Sequence, residues 1–418
     1  MAFLPQNSNE RKRLVCILLL LGYIALEIRF GATYALRRDS NFRAFQWDSE
    51  TLWTLKSSYQ GQAFGQDIHT NSVGFRGSRE YPVRSTHHVR IFTIGDSRTY
   101  GFAAKDDETF SAVLEEQLQA RGVDAEVINA GVHGFTAVQC RGRLEKLVRY
   151  RPHVVIFAPG YNDRRYIASM PADSSASFRK IARLRRWLDA LSWSNVFFGA
   201  LCEVGESGLK DLQENPPGLD VIPVRVSEEL YEEELQRTVS LCRENNIRLV
   251  LFLIYQDPSA YDLVERAQYL YDLGDPKAAI ELIEEAFNTV PNRSYSMSRY
   301  LLGLCYRAIG EVEKSREAFA THRPSGSIFG EAVLRSERRY YDIARKIAEQ
   351  HSLPVVDGKD AITNGILSVI EAEEAFRKEF IDECHYTAEG HRRMGTALAE
   401  TLLPILLPSS VTEPSRVP

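Results

Sequence analysis

No CxxC pair occurs anywhere in the 418 residues. The six cysteines, Cys16, Cys140, Cys202, Cys242, Cys305 and Cys384, are widely scattered, a spacing that offers neither a zinc site nor a dithiol redox pair. Five lie beyond the N-terminal apolar segment, so at least one of them lacks a partner in the same chain. A long basic run is also missing. With 51 Lys and Arg against 56 Asp and Glu, the formal charge is −5, which argues against a nucleic-acid partner. No metal or cofactor is expected. What remains is ordinary apolar content over a length sufficient for one large or two smaller cores.

A full-length spanning run is missing too. Arg11, Lys12 and Arg13 precede an unbroken apolar or small stretch from Leu14 to Leu26, shorter than the roughly 20 residues of an ordinary transmembrane helix. Its exit is wrong for cleavage, because Glu27, Ile28, Arg29 and Phe30 stand where a signal peptidase needs small residues. The segment 12–30, after a short tail 1–11, reads as an uncleaved signal anchor and single-pass transmembrane helix, with a buried helix as the plainer alternative. Arginines on both sides leave the positive-inside rule undecided. The basic tail before the apolar core favours an N-terminus inside and the bulk of the chain exported, periplasmic or extracellular.

Residues 31–87 show no long periodicity and read as a spacer and approach segment. From His88 the pattern changes. The runs "VRIFTIG", "AEVINAG", "HVVIFAPG", "IRLVLFLIY" and "LPVVDG" read as strands, and "ETFSAVLEEQLQARG", "AVQCRGRLEKLVRYR" and "SEELYEEELQRTVSLCRENN" as amphipathic helices between them. Strands alternating with helices predict a three-layer α/β/α sandwich on a mostly parallel sheet, over 88–257 and again over 328–407, with a tail at 408–418. Ligand sites in such a fold lie at the carboxyl edge of the sheet.

Three consecutive strand ends carry the chemistry. "FTIGDS" ends on Ser97, "VINAG" on Gly131, and "IFAPGYND" leads into Asn162 and Asp163. Gly, Asp and Ser are common turn and capping residues, which is the bland reading of the first. Together, however, a hydroxyl, a bare backbone N–H and a carboxamide at one edge suit acyl transfer, in which Ser97 N–H, Gly131 N–H and the Asn162 side chain would surround an oxyanion. A serine nucleophile also needs a base with an orienting partner. "FIDECHYTAEGH" places Asp382 three residues before His385, after the last strand and on the same edge. An isolated D-x-x-H is weak evidence, and its force comes from that position.

These four blocks, GDS at 95–97, Gly131 in "NAGVHG", "GYND" at 160–163 and D-x-x-H at 382–385, resemble in order those of the SGNH hydrolases, the GDSL-type esterases. The resemblance implies Ser97 as nucleophile, His385 as base oriented by Asp382, and Gly131 and Asn162 as oxyanion donors. Arg98 replaces the leucine of the GDSL spelling. With Arg164 and His133 it is a candidate for shaping the substrate site, the plain alternatives being a solvated or paired arginine and an incidental loop histidine. His391 reads as a structural residue at a helix start and Cys384 as small packing.

Between the two sheet portions, 258–327 carries "AQYLYDLGDPKAAIELIEEAFNTVP" and "SRYLLGLCYRAIGEVEKSREAF", which resemble tetratricopeptide repeats. Gly274 and Gly310 fall 36 residues apart, near that repeat's period. This all-α insertion reads either as a docking surface for a protein or glycan or as packed decoration. The functional expectation is a serine esterase of the cell envelope acting on acylated carbohydrate, with a lipid ester as a second substrate class. An O-acyltransferase and a non-catalytic binding protein are the alternatives.

Overall fold

The computed structural model describes residues 18–25, 44–48, 50–63, 66–167, 224–254, 266–268, 270–271, 273–289, 296–321, 331–334, 337–363, 378–381 and 384–407. Its centre is a five-stranded, wholly parallel sheet of β5 (Val89–Gly95), β6 (Ala125–Asn129), β7 (Val154–Ala158), β9 (Arg248–Leu253) and β11 (Val355–Asp357). The order across the sheet is β6-β5-β7-β9-β11. After β6 the chain therefore crosses to the other side of β5, which makes the carboxyl end of β5 a topological switch point.

Apolar side chains alternate strictly between two cores. Along β9, Leu249, Leu251 and Leu253 enter one and Val250 and Phe252 the other. The first core is closed by α3 (Ala137–Leu147), α4 (Glu228–Glu244) and α8 (Glu337–His351), through residues such as Val138, Leu235 and Ile347. The second is closed by α2 (Phe110–Ala120) and α10 (Ala388–Leu406), the latter preceded in the chain by the short α9 (Gly358–Thr363), through Leu114, Leu118, Met394 and Leu398. Strands buried on both faces need apolar residues at nearly every position, which is why these runs lack the polar alternation of a one-sided sheet. Each such side chain contributes roughly 1.5–3 kcal/mol on burial. One exception is a directly opposed cross-strand pair, in which Arg90 donates Nε to Glu126 Oε1 at 2.7 Å and Nη1 to the carbonyls of Val83 and Tyr150.

The stretch read as a spacer is folded onto the catalytic edge. Hairpins β1 (Phe45–Asp48)–β2 (Leu52–Leu55) and β3 (Gln60–Ala63)–β4 (Gln66–His69) pair antiparallel. They are tied down by Gln139 Nε2 on the Thr51 carbonyl, Arg143 Nη1 on Thr54 Oγ1 and Lys146 Nζ on Asp48. Short strands rich in Gln, Asp and Trp show no clean period, so the sequence pattern did not reveal them.

The insertion is helical where it is described. α5 (Pro276–Thr289), α6 (Ser296–Ala308) and α7 (Val312–Thr321) enclose a small separate core of Ala279, Ile283, Tyr300, Leu304, Cys305 and Phe319. Gly274 and Gly310 each adopt φ +82° in the turns before α5 and α7. The chain returns through β10 (Glu331–Leu334), which pairs antiparallel with β8 (Arg165–Ile167). Residues 18–25 are helical, and Leu18, Leu19, Leu20, Leu21 and Ile24 are exposed. Among the described residues no helix is long and apolar enough to cross a membrane, and the rest of the expected anchor, 12–17 and 26–30, lies outside them.

His391, in the first turn of α10, is fully buried between Phe110 and Tyr386 and accepts the Phe110 N–H on Nδ1. Burial, reinforced by the Arg76 charge and by His385, pushes its imidazole down to about 3 from an ordinary 6.5. Between those two pH values the unfolded chain binds the proton and the folded chain does not, so stability falls as pH drops from about 6.5 toward 3. By pH 5 this single group costs about 2 kcal/mol. Urea midpoints taken at pH 7.5 and pH 5 will show a smaller drop in His391→Gln than in the parent.

Candidate active site

β5 ends at Gly95, and the next residues turn at once into α1 (Ser97–Tyr100). Asp96 caps that turn by accepting the Arg98 N–H at 2.9 Å, which leaves Ser97 as its first residue, half-buried at the sheet edge. The turn is closed from behind. Gly101 and Phe102 both donate their N–H to the Ser97 carbonyl, at 2.9 and 3.0 Å. Arg76, reaching over from the hairpin segment, donates Nη1 to the carbonyls of Tyr100 (2.5 Å) and Gly101 (2.7 Å), Nη2 to that of Ala104 (2.5 Å) and Nε to Asp106 Oδ1 (2.9 Å). Carbonyls at the end of a helical turn have no intrahelical partner, and one guanidinium here supplies it.

From the far end of the chain, His385 brings Nε2 to 2.9 Å from Ser97 Oγ. Its Nδ1 lies 3.6 Å from Cys384 Sγ, and its ring stacks on Phe102 with centroids 4.3 Å apart. Asp382, expected to hold that imidazole, lies outside the described residues.

The two loops beside Ser97 are joined by one carboxylate. Asp163, fully buried, accepts the Gly160 N–H on Oδ2 (3.0 Å) and the Ala137 N–H, at the start of α3, on Oδ1 (2.8 Å). A carboxylate at a helix N-terminus satisfies an orphan donor and meets the positive end of the dipole. Asn162 is thereby fixed, and its Nδ2 donates to the Phe135 carbonyl at 3.1 Å. On the outer side, Trp53 Nε1 donates to the His133 carbonyl at 2.9 Å, and Arg225 Nη1 to that of Gly134 at 2.8 Å.

Four residues read from the sequence are placed otherwise. Gly131 donates its N–H to Asn129 Oδ1 at 3.0 Å, so that donor already has an acceptor. Its glycine is required for another reason: a Cβ would stand 2.3 Å from the Tyr100 nitrogen, against the backbone of the Ser97 turn. The half-buried residue of that loop is Gly134, at φ +75°. Arg98 does not face the cleft. Its side chain has no exposure, with Nη2 and Nε on the Asp96 carboxylate, Nη1 on the Ile254 carbonyl, and the guanidinium 4.8 Å over the Tyr161 ring. Arg164 is likewise buried and covers the other contact of the same ring at 4.7 Å. His133 is packed under Tyr100, Phe102 and Phe45, where burial holds its imidazole well below the ordinary range. Among the described residues no group of three His, Cys, Asp or Glu side chains is placed to hold a metal ion.

Residues 93–273 match the sequence profile of the GDSL-like Lipase/Acylhydrolase family. The matched stretch, similar to that family of ester hydrolases, holds Ser97, Gly131, Gly134 and Asn162. Among solved structures, the chain is similar to a lipolytic protein of the G-D-S-L family from Desulfitobacterium hafniense, at 13% identity and a TM-score of 0.35 over 75% of this chain and 100% of the other. It is similar to the lipase/acylhydrolase from Enterococcus faecalis at 13% identity and 0.38, over 75% and 95%. It is similar also to an acetyl-xylooligosaccharide esterase from Geobacillus at 14% and 0.35, over 78% and 96%. No curated protein matches it.

Arg76, Phe102, Trp53 and Asp163 were not singled out from the sequence. Only Asp163 carried a signal, its place in "GYND". The buried Asp96–Arg98 pair gives a stability test. Arg98→Leu, although leucine is the commoner residue after GDS, strands the Asp96 carboxylate without its partner, at a cost of about 3–5 kcal/mol in urea denaturation. Asp96→Asn combined with Arg98→Leu will lose less than Arg98→Leu alone.

Proposed function

We propose that Ser97 is the nucleophile and His385 the general base of a hydrolase that removes short acyl groups, foremost O-acetyl, from an envelope carbohydrate. The observation that carries the reading is the 2.9 Å contact between His385 Nε2 and Ser97 Oγ at the switch point of the sheet. As Oγ attacks the ester carbonyl carbon, its proton passes to Nε2, and the carbonyl electrons move onto oxygen. That oxyanion is met by the Ser97 N–H and the Asn162 carboxamide. The backbone donor from the second loop is assigned to Gly134 in place of Gly131, because Gly134 is half-buried in an open turn and the next carbonyl is the one Asn162 grips. The protonated His385 then gives its proton to the leaving alcohol, and water resolves the acyl-enzyme by the reverse route. Asp382 is proposed to orient Nδ1.

A membrane anchor over 12–30 and an exported catalytic domain complete the reading. They are supported by the basic triplet before an apolar core and by the exposed leucines of 18–21. The tetratricopeptide-like insertion is proposed as a docking surface for the acyl-bearing glycan or a protein that delivers it.

A fluorophosphonate probe is expected to label Ser97, and the labelling to vanish in Ser97→Ala. Asn162→Ala should lower kcat about a hundredfold or more with an unchanged melting curve, as loss of one oxyanion donor does. Label on another serine would reassign the nucleophile. Turnover of acetylated glycans above that of lipid esters and acyl-CoA donors would support the substrate class. For location, a C-terminal reporter active only outside the cytoplasm is expected to give signal, and the protein to stay with membranes through a high-salt wash. A cytoplasmic, salt-extractable product would remove the envelope from the reading.

A further inference from the structure

Phe102 is held more tightly than a half-buried aromatic in a surface turn needs to be. Its N–H is anchored on the Ser97 carbonyl, at 3.0 Å. Both neighbours have left-handed backbone, Gly101 at φ +85° and Ala103 at φ +68°. For a residue with a Cβ this conformation is uncommon and costs of order 1 kcal/mol, and it persists only where surrounding contacts impose it. Arg76 imposes it here, by gripping the carbonyls of Tyr100, Gly101 and Ala104 on either side.

The strained turn delivers the Phe102 ring onto the imidazole of His385, with centroids 4.3 Å apart and planes inclined by 34°. The buried His133 ring also meets Phe102, with centroids 5.8 Å apart and planes inclined by 75°. One residue thus bonds to the nucleophile through its backbone and to the base through its ring.

We propose that Phe102 is a positioning residue for the general base, holding the His385 ring in the plane that aims Nε2 at Ser97 Oγ and presenting an aromatic face to the imidazolium that forms. This rests on Ser97 and His385 being nucleophile and base. When the Oγ proton moves to Nε2, the ring gains a positive charge, and the face of a neighbouring aromatic attracts that charge more strongly than it attracts the neutral ring. The stack is therefore stronger in the transition state than before it, which is the condition for raising kcat and not merely binding. An aliphatic side chain of similar bulk fills the space but supplies neither the planar contact nor the charge attraction.

The test is the rate at which a fluorophosphonate modifies Ser97 in the full-length protein, resolved into a limiting rate and a half-saturating concentration, for the parent, Ser97→Ala, Phe102→Leu and Phe102→Tyr. Phosphonylation requires the same proton removal as acylation but no knowledge of the native ester. Phe102→Leu is expected to lower the limiting rate about tenfold with the half-saturating concentration within about twofold, and Phe102→Tyr to restore most of the rate. Melting curves of both variants should overlie the parent's, the ring being only partly buried. A parent that is not labelled at Ser97 would overturn the serine-nucleophile reading itself. A labelled parent overturns the present inference alone if Phe102→Leu reacts at the parental rate, loses only affinity, or is matched in its loss by Phe102→Tyr.

Discussion

Two opposite charges with no access to water, Asp96 and Arg98, stand on either side of Ser97, and much of the catalytic edge is arranged around keeping them satisfied. A carboxylate buried alone is prohibitively costly, so Asp96 must have its guanidinium. That guanidinium in turn needs acceptors for its remaining N–H groups, and it reaches the Ile254 carbonyl at the end of β9. Tyr341 of α8 donates its hydroxyl to the same carbonyl at 2.5 Å. The nucleophile turn is thereby joined to the strand that leads into the helical insertion and to the helix that follows its return. Tyr161, stacked by Arg98 on one contact and Arg164 on another, brings the "GYND" loop into the same cluster.

Much of the architecture is legible in the sequence because its causes are periodic. All five sheet strands fall within the stretches expected, as do α2, α3 and α4, since a strand buried on both faces and a helix buried on one leave different spacings of apolar residues. Ser97 and His385 were readable for a different reason: a parallel sheet sends every strand's carboxyl end to one edge, so residues at strand ends meet whatever their separation in the chain. Residue type, however, does not say where a side chain or N–H points. Gly131 and Gly134 are indistinguishable as letters, and only the Asn129 bond and the approach of Tyr100 separate them. An arginine next to a nucleophile suggests a cation at the mouth, and the carboxylate one residue before Ser97 turns it inward instead. The hairpins of 45–69 went unseen because their stability lies in bonds to α3 and not in their own pattern.

The site is also unusual in how little of its scaffolding comes from one region. Arg76 and Trp53 belong to the N-terminal hairpin segment, Asp163 to the loop after β7, Arg225 to the stretch before α4, and His385 to the loop before α10. The first four satisfy backbone donors or acceptors of loops that have too few partners of their own, and His385 meets the Ser97 hydroxyl. Phe102 continues the pattern at the Ser97–His385 pair, where a ring whose backbone N–H is held by the Ser97 carbonyl stacks on the imidazole.

The bond between Ser97 and His385 spans 288 positions of the chain. Contacts so distant in sequence close late, after the loop entropy of everything between has been overcome. A ribosome makes the nucleophile turn long before it makes the imidazole, and α10, which seats the loop carrying His385, is the last described element of the fold. Every partial product of synthesis thus holds the serine without the imidazole that faces it in the fold. Whatever the pair does, no incomplete chain can do it, so the order of assembly itself keeps the site silent until the fold is finished.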